Sequence, residues 1–325
     1  MDKSFESFVT QVETGINAFI PGDQPPELYE PIKYILSLGG KRLRPLLVLM
    51  SYGLFKGDTK QIIKPAISVE VFHNFTLMHD DIMDKAPLRR GYTTVHKRWN
   101  ENIAILSGDV MLIKAYDLLM KAPVKYLQPT LKRFGVTAAE VCEGQQMDMN
   151  FEHRKDVTIK EYLEMIRLKT AVLIGYSLEL GALLAGENPE TCQKLRQAGT
   201  NIGMGFQLMD DLLDVYADKN KFGKQVGGDI LANKKTYLLI KALKTATGDS
   251  KASLLDWLKK KEYDPGEKIS AITSIYDNLN IRDITNTAIL SYYRKGTEIL
   301  QHMDVDPSIK KTLLAFIDRL LKREK

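Results

Sequence analysis

Residues 69–84 read VEVFHNFTLMHDDIMD, a mostly apolar run that ends in three aspartates spaced as DDxxD. The same spacing returns at the end of residues 202–214, IGMGFQLMDDLLD. Both stretches have helical period, and residues three or four apart on a helix share one face. The sequence therefore predicts two helices that each carry three neighbouring carboxylates, namely Asp80, Asp81 and Asp84 on the first and Asp210, Asp211 and Asp214 on the second.

Three like charges on one helical face repel one another unless a cation neutralises them. Oxygen ligands suit a hard ion such as Mg²⁺, which commonly takes one or two carboxylates and completes its shell with substrate phosphates. A single DDxxD is more often a solvated surface than a site. Two of them, each at the end of an apolar run, favour carboxylates that face a cavity, where bridging Mg²⁺ ions hold a diphosphate.

The composition is that of an ordinary globular protein. Of the 325 residues, 44% are hydrophobic and 27% are charged, and the net charge is +5. Lys and Arg are spread along the chain, so nucleic-acid binding is not indicated. Cys142 and Cys192 have no metal-ligand spacing, which is typical of core thiols in a reducing cytoplasm. No linker or low-complexity segment interrupts the chain, so a single domain over residues 1–325 is predicted.

Helical periodicity runs through nearly the whole chain, and no alternating strand pattern persists. This predicts an all-α bundle of long helices around a central cavity. Thr158 and Glu161 have the spacing of a capping box that opens a long helix to about Gly186. Pro123 and Pro129 predict turns. Residues 218–235, rich in Lys and Gly, predict a mobile loop.

No stretch of the sequence predicts stable membrane insertion. The N-terminal residues 1–19 are amphipathic and carry acids, unlike a signal peptide. The longest apolar stretch, from Ala171 to Ala185, contains Glu179 and is too short to span a bilayer.

A separate cationic set accompanies the acids. Residues 39–45 read GGKRLRP, which places Lys41 and Arg44 at a glycine-led helix start. Glycines let the backbone approach a phosphate, and a helix N-terminus favours anions. Two adjacent arginines follow the first acids in LRRG, residues 88–91, and guanidinium forks suit phosphate oxygens. Each patch alone would be an ordinary solvated surface. Beside a metal site they predict a second pocket that holds an anion without metal.

In this order the motifs resemble those of the trans-isoprenyl diphosphate synthases, the polyprenyl synthetase family. The resemblance runs from about Tyr34 to Thr236 and includes GGKRLRP, HxxxxxHDDxxD, LRRG, TVH, SGD, GQQMD, LKT, FQLMDDLLD and GKQVGGDI followed by LANKKT. It implies an isoprenoid-synthase bundle, a homodimer, and a prenyltransferase that uses several Mg²⁺ ions. The implied reaction joins isopentenyl diphosphate head-to-tail to an allylic diphosphate.

The resemblance also implies a role for each matching residue. The metal ligands are Asp80, Asp84 and Asp210, with Asp81, Asp211 and Asp214 as further ligands or as supports for them. The allylic diphosphate is bound by Arg89, Lys169, Lys224 and Lys234. Isopentenyl diphosphate is bound by Lys41, Arg44, His73 and Arg90. Gln207 and the Lys169-Thr170 turn contact the substrate where the carbocation develops. Without the resemblance, His73 would be interpreted as a core histidine.

The length of the product is predicted from the helix that precedes the first acids. Phe75 lies five residues before Asp80, roughly 7–8 Å along a helix, where its ring would floor the pocket. Thr76 is small and leaves the neighbouring face open, and Phe72 lies about one turn deeper as a second floor. The alternative is that Phe75 and Phe72 are ordinary residues of the hydrophobic core. In the family this pattern is similar to geranylgeranyl synthases, with farnesyl or longer products as the alternative.

Two rival interpretations remain open. A terpene cyclase or head-to-head coupling enzyme shares the helical architecture, but Lys41, Arg44 and Arg90 argue against it because such enzymes do not need an isopentenyl pocket. A regulatory subunit that has lost catalysis would be expected to lack acids from one DDxxD, and all six are present.

Overall fold

The computed structural model describes residues 3–217 and 227–322. Its helices, in chain order, are α1 (Lys3–Asn17), α2 (Pro26–Ser37), α3 (Leu43–Gly53), α4 (Ile63–Met83), α5 (Val95–Arg98), α6 (Glu101–Leu119), α7 (Val124–Glu152), α8 (Ile159–Ile166), α9 (Val172–Ala185), α10 (Pro189–Tyr216), α11 (Gly228–Leu231), α12 (Tyr237–Thr245), α13 (Gly248–Lys259), α14 (Pro265–Asn278), α15 (Ile281–Gln301) and α16 (Pro307–Leu321). A 3-10 turn, Lys60–Ile62, precedes α4, and a π-helical segment, Arg167–Ala171, joins α8 to α9.

The prediction of an all-α protein is confirmed, with one small exception. Two short strands, β1 (Leu88–Arg89) and β2 (Tyr92–Thr93), pair antiparallel directly after α4. The turn between them is closed by Arg90 and Gly91, whose φ angles are 54° and 82°. Positive φ at both central residues matches the twist of a two-residue hairpin.

The long helical run after Thr158 begins and ends as the sequence predicts. The Thr158 side chain accepts from the backbone N–H of Glu161, and the Glu161 carboxylate accepts from the backbone N–H of Thr158. At the other end, Gly186 has a φ of 88°, the left-handed conformation that commonly terminates helices. Between them, α8, the π-helical segment and α9 are continuous.

One local prediction was wrong, and a second is tested only in part. Pro129 lies inside α7 rather than at a turn, whereas Pro123 does precede that helix. The missing N–H of Pro129 is tolerated because its would-be acceptor, the carbonyl of Lys125, belongs to an exposed residue that water can satisfy. The predicted 218–235 loop lies in part outside the described residues, at 218–226, and its described part contains the short helix α11.

The helices share one continuous cluster of buried apolar side chains, which reaches from α1 to α16. α9 is buried on nearly all sides and packs against α3, α7 and α10. Within the described residues, Ile159–Ala185 is the one stretch long and apolar enough to cross a membrane, and 83% of its apolar window is buried inside the fold. This burial is typical of a core helix. The continuous core supports the single-domain prediction, which stays a prediction.

Two glycines bring neighbouring helices against the π-helical segment. A Cβ at Gly144 on α7 would lie 2.2 Å from the backbone nitrogen of Lys169. A Cβ at Gly203 on α10 would lie 2.7 Å from the Cα of Ala171. Glycine is therefore required at both positions, because any larger side chain would push the helices apart. The close packing holds a π-helical segment, a feature that often occurs at functional sites, between α7 and α10.

Candidate active site

The first acid motif lies at the C-terminal end of α4, and its three carboxylates have different surroundings. Asp81 is buried and accepts two hydrogen bonds from Arg89, at 2.8 Å from Nε and 2.8 Å from Nη2. Asp80 is partly exposed, with Oδ1 3.1 Å from Nζ of Lys169 and Oδ2 3.7 Å from Nη2 of Arg89. Both oxygens of Asp81 are thus taken by Arg89, whereas Asp80 is partly exposed and lies beside Lys169.

Asp84 ends α4 one turn beyond Asp80. Asp84 is exposed on its outer side, but partial desolvation by its neighbours and the charge of Asp80 raise the pKa of its carboxyl to about 6. A raised carboxyl pKa beside a second carboxylate marks a place where added positive charge is favourable. Asp80 and Asp84 therefore form a pair of oxygen donors suited to a cation.

The second acid motif lies near the C-terminal end of α10. Asp211 is buried, and its two oxygens accept from different side chains: Oδ2 from the hydroxyl of Tyr162, and Oδ1 from Nε2 of Gln207 at 3.0 Å. Burial and the nearby charge of Asp229 together raise the pKa of Asp211 to about 7, although the hydrogen bonds from Tyr162 and Gln207 lower it. Asp214 accepts from the backbone N–H of Asp229 at 2.9 Å, while Asp210 is partly exposed.

Two lysines and one further carboxylate join the acid motifs. Nζ of Lys169 lies 2.6 Å from Oδ2 of Asp148, and Nζ of Lys234 lies 3.7 Å from the same oxygen. Partial desolvation opposes the charge of Lys234, but the carboxylates of Asp148, Asp229 and Asp211 outweigh it and raise its pKa. Since Lys234 also interacts with Asp84, it lies between the two motifs. Burial raises the pKa of Asp148, but the two lysines lower it more, so the net direction is downward.

A chain of hydrogen bonds extends from the second motif into the π-helical segment. The hydroxyl of Thr170 donates to Oε1 of Gln207 at 3.0 Å, and Gln207 in turn donates to Asp211. Lys169 and Thr170 are adjacent in sequence, yet Lys169 contacts the first motif and Thr170 the second. Lys224, the remaining predicted lysine, lies outside the described residues.

The cationic set forms a second group of side chains, which also interacts with Arg89. Burial, together with the charges of Arg44, Arg90, Arg89 and Arg42, lowers the pKa of His73 well below its usual range. Arg44 is buried at the start of α3. Arg90 donates to the carbonyl of Gly39, and a Cβ at Gly40 would lie 2.9 Å from the Arg90 guanidinium. The glycines of the GGKRLRP motif thus make room for an arginine from the hairpin.

The four basic residues predicted for this second pocket do not all have the same setting. His73 interacts electrostatically with Arg44 and with Arg90, and Lys41 is exposed in the loop before α3. Arg42, which lies between the two basic residues of the motif, is instead buried and pairs with Glu70 at 3.0 Å. Arg42 therefore has a structural contact, which the sequence pattern does not distinguish.

Comparison with known proteins relates this arrangement to a protein family. A sequence model described as polyprenyl synthetase matches residues 25–275. The chain belongs to the polyprenyl synthetase family. As a polyprenyl synthetase it is a prenyltransferase, which is the enzyme class that the motifs implied.

Individual relatives extend the similarity to nearly the full chain. A geranylgeranyl diphosphate synthase of Methanosarcina mazei is 37% identical over 318 residues, 97% of this chain and 95% of its own. A geranylgeranyl diphosphate synthase of Saccharolobus solfataricus is 43% identical over 263 residues, 79% of each chain. The solved structure of a geranylgeranyl pyrophosphate synthase, 43% identical, superimposes with a TM-score of 0.91 over 99% of both chains.

Three polar residues of this polyprenyl synthetase contact the predicted site but had no predicted role. Asp148, in GQQMD, pairs with both lysines, and Asp229, in GGDI, contacts Asp214. Their motifs were recognised, so the position of an acid in each was an available signal. Tyr162, which donates to Asp211, stands in none of the quoted motifs. It is separated from Asp211 by 49 residues, and only the packing of α8 against α10 brings them together.

The residues predicted to set product length are part of an aromatic cluster. The ring centroid of Phe75 lies 5.6 Å from that of Phe72 and 4.8 Å from that of His79. Phe72 is buried and lies 5.1 Å from Phe134 of α7. Thr76 turns its hydroxyl back to the carbonyl of His73, so it leaves only a small side chain at that position.

Proposed function

We propose that this polyprenyl synthetase condenses isopentenyl diphosphate head-to-tail with dimethylallyl, geranyl or farnesyl diphosphate and releases geranylgeranyl diphosphate. The observation that carries the proposal is that two groups of charged side chains both interact with Arg89. One contains carboxylates of both acid motifs around Lys169 and Lys234, and the other contains Arg44, His73 and Arg90. Two pockets of different chemistry suit two diphosphates that must be distinguished.

The acid pocket suits Mg²⁺ on the chemistry of its donors. Asp80, Asp84 and Asp210 offer carboxylate oxygens, the ligands that Mg²⁺ prefers. Within residues 3–217 and 227–322, no three carboxylate, histidine or cysteine side chains converge closely enough to enclose an ion alone. That agrees with ions that take one or two carboxylates and complete their shells with phosphate and water. Bound Mg²⁺ would supply positive charge that stabilises a diphosphate leaving group.

The basic side chains of each pocket bind one substrate in this proposal. Arg89, Lys169 and Lys234, with Lys224 from outside the described residues, hold the allylic diphosphate. Lys41, Arg44 and Arg90 hold the isopentenyl diphosphate, and His73 contributes a hydrogen bond. The lowered pKa of His73 keeps its imidazole neutral, so the charge in that pocket comes from the arginines and Lys41. Asp81, Asp211 and Asp214 support the ligands through Arg89, Gln207 and Asp229.

The reaction follows from this placement. The allylic C–O bond breaks, leaving a delocalised cation and a diphosphate whose charge the lysines and Arg89 stabilise. The double bond of isopentenyl diphosphate attacks the cation, and the new C–C bond leaves a cation at the adjoining carbon. Loss of a proton to the departed diphosphate then restores a double bond. Thr170 and Gln207 present polar oxygens near the cation.

The proposed product rests on Phe75 as the floor of the pocket, with Phe72 and Phe134 packed behind it. A geranylgeranyl tail would end at that ring, and the names of the two curated relatives are consistent with this length. Farnesyl or longer products are the alternative outcome of the same chemistry.

A product assay on the purified protein tests the proposal. Isopentenyl diphosphate is supplied with each allylic diphosphate, with and without Mg²⁺, and chain length is read by mass spectrometry. Mg²⁺-dependent geranylgeranyl diphosphate is the expected result. A different chain length would keep the reaction and reject the Phe75 floor. A folded protein that performs no condensation would reject the function and favour the cyclase or regulatory-subunit interpretation.

We further propose that the chain acts as a homodimer in the cytoplasm. α6 exposes a row of large apolar side chains, including Ile105, Leu106 and Ile113, and such patches mark interaction surfaces. Leu106→Asp should convert a dimer into a monomer in light scattering. Leu290→Asp on α15 is a matched control, because Leu106 is 57% exposed and Leu290 56%. A monomeric wild-type protein would reject the homodimer.

A further inference from the structure

Tyr162 is a fully buried tyrosine whose hydroxyl contacts the second acid motif. It lies on α8, and it donates to Oδ2 of Asp211 on α10. Its ring packs 6.3 Å from that of Tyr237, at the start of α12. A buried hydroxyl requires a partner, but a backbone carbonyl would satisfy it equally well. The need for a partner alone therefore does not explain why the Tyr162 hydroxyl donates to an active-site carboxylate.

The hydrogen bond from Tyr162 to Oδ2 of Asp211 leaves Oδ1 as the oxygen that Gln207 can reach. With Oδ2 taken by Tyr162, Oδ1 accepts from Gln207 at 3.0 Å. In its ionised form, the form that faces a bound cation, Asp211 only accepts, so the Gln207 atom that faces it is the amide nitrogen. The amide oxygen then faces Thr170, 3.0 Å away, and the hydroxyl of Thr170 must be the donor in that contact.

We infer that Tyr162 is a positioning residue for prenyl transfer, which fixes the orientation of the Asp211 carboxylate and so holds the hydrogen-bond chain Thr170–Gln207–Asp211 in place. This inference rests on the proposed function. With its proton committed to Gln207, the Thr170 hydroxyl presents only lone pairs to the developing carbocation. A reversed Gln207 amide would let Thr170 turn its proton toward the cation, which is electrostatically unfavourable. Tyr162 acts on this step through two intervening side chains and without touching the substrate.

The hydrogen-bond chain also links Tyr162 on α8 to Thr170, eight residues later in the same helical run. Thr170 lies in the π-helical segment, which Gly144 and Gly203 hold against α7 and α10. Tyr162 and Thr170 therefore contact α10 at two points, Asp211 and Gln207. Side chains of the same helical run hold both ends of the Gln207–Asp211 pair.

The variant that tests the inference is Tyr162→Phe, which keeps the ring and removes the hydroxyl. Tyr176→Phe is the matched control, since Tyr176 is also fully buried and donates to a backbone carbonyl, that of Thr130, at 3.3 Å. We expect Tyr162→Phe to lower kcat about 10- to 100-fold, as for loss of a hydrogen bond to a charged group. The KM for isopentenyl diphosphate should stay within about twofold, and Tyr176→Phe should leave kcat within about twofold.

Two further variants separate positioning from a general loss of packing. Thr170→Val should lower kcat to a similar degree, and Thr170→Ser, which restores the hydroxyl, should recover most of it. In the Tyr162→Phe/Thr170→Val double variant the two losses should not multiply, because both break one chain. Losses that multiply, or equal losses in Tyr162→Phe and Tyr176→Phe that follow a fall in Tm, would overturn the inference.

A crystal structure of Tyr162→Phe gives a result that does not depend on turnover. We expect the Asp211 carboxylate to rotate and the Gln207 side chain to leave Thr170. Unchanged positions of all three side chains would overturn the inference even if the wild-type protein proved inactive. An inactive wild-type protein whose variant shows the displacement would reject the proposed function and retain the geometric role of Tyr162.

Discussion

The two acid motifs have the same spacing but hold their middle aspartates in different ways. Asp81 receives both hydrogen bonds from the guanidinium of Arg89, eight residues away on the hairpin. Asp211 receives one from Tyr162 and one from Gln207, both neutral. Burial raises the pKa of both carboxyls. At Asp81 the hydrogen bonds and charge of Arg89 oppose this rise, whereas at Asp211 the pKa reaches about 7.

The helices that carry the motifs also differ upstream of the acids. Five residues before the first motif stands Phe75, inside an aromatic cluster. Five residues before the second stands Gly205, where a Cβ would lie 2.6 Å from the ring of Tyr293 on α15. α10 is thus packed tightly against α15 at this level. The comparison teaches that two motifs with one proposed metal chemistry can stand in different surroundings, an aromatic cluster before the first and tight helix packing before the second.

The largest expected effect concerns what the motifs share. Asp80→Ala and Asp210→Ala should each lower turnover by about 10³-fold or more, because each removes a ligand proposed to stabilise the leaving diphosphate. Steady-state kinetics at saturating Mg²⁺ make the comparison, with Asp256→Ala on the exposed face of α13 as a control. Near-normal turnover in both variants would reject the metal assignment, and loss in only one would make the motifs unequal.

A smaller effect is expected on the free energy of unfolding when the donor to each middle aspartate, Asp81 or Asp211, is removed. Arg89→Met leaves the buried Asp81 carboxyl without its guanidinium, and we expect a loss of about 2–4 kcal/mol in the free energy of unfolding. Tyr162→Phe removes one neutral donor and should cost about 1–2 kcal/mol. Urea denaturation without Mg²⁺ measures both. A Tyr162→Phe loss equal to or larger than that of Arg89→Met would contradict the difference between the motifs.

The pH dependence of stability should reveal Asp211. Its pKa is about 7 in the folded protein, above the usual value of 3.8, so the folded state holds a proton that the unfolded state releases. Without Mg²⁺, this group should make the protein less stable as the pH rises from about 4 to 7. Asp211→Asn should remove that part of the slope in thermal melts, and Asp81→Asn should change it less. Identical slopes in wild type and Asp211→Asn would refute the assignment.

The smallest change in rate, but a clear change in product, is expected at Phe75. Phe75→Ala should lengthen the product by at least one isoprene unit while turnover stays within about tenfold. Phe206→Ala, four residues before the second motif on α10, is the matched control and should leave the product unchanged. Mass spectrometry of the products decides. If Phe206→Ala lengthens the product and Phe75→Ala does not, the tail runs along the other helix.

Much of the fold and part of the site could be predicted from local patterns. The all-α class, the capping box at Thr158 and the helix through the second motif were correct. Pro129 was misassigned because a proline near the start of a helix costs little when the carbonyl that loses its partner is exposed. Within the predicted 218–235 loop, the described part differs only at the short helix α11, which Gly227, in the left-handed conformation, allows to begin there.

The sequence by itself determined the helices, the two acid motifs and the basic motifs, because periodicity, caps and turn residues act over a few positions of the chain. Only the tertiary structure decided which acids the protein occupies and which face the lysines. Asp81 meets Arg89 through a hairpin, Asp211 meets Tyr162 across 49 residues, and Asp148 joins two lysines from separate elements. Such pairings depend on helix packing at glycines such as Gly144 and Gly203, which no local pattern encodes.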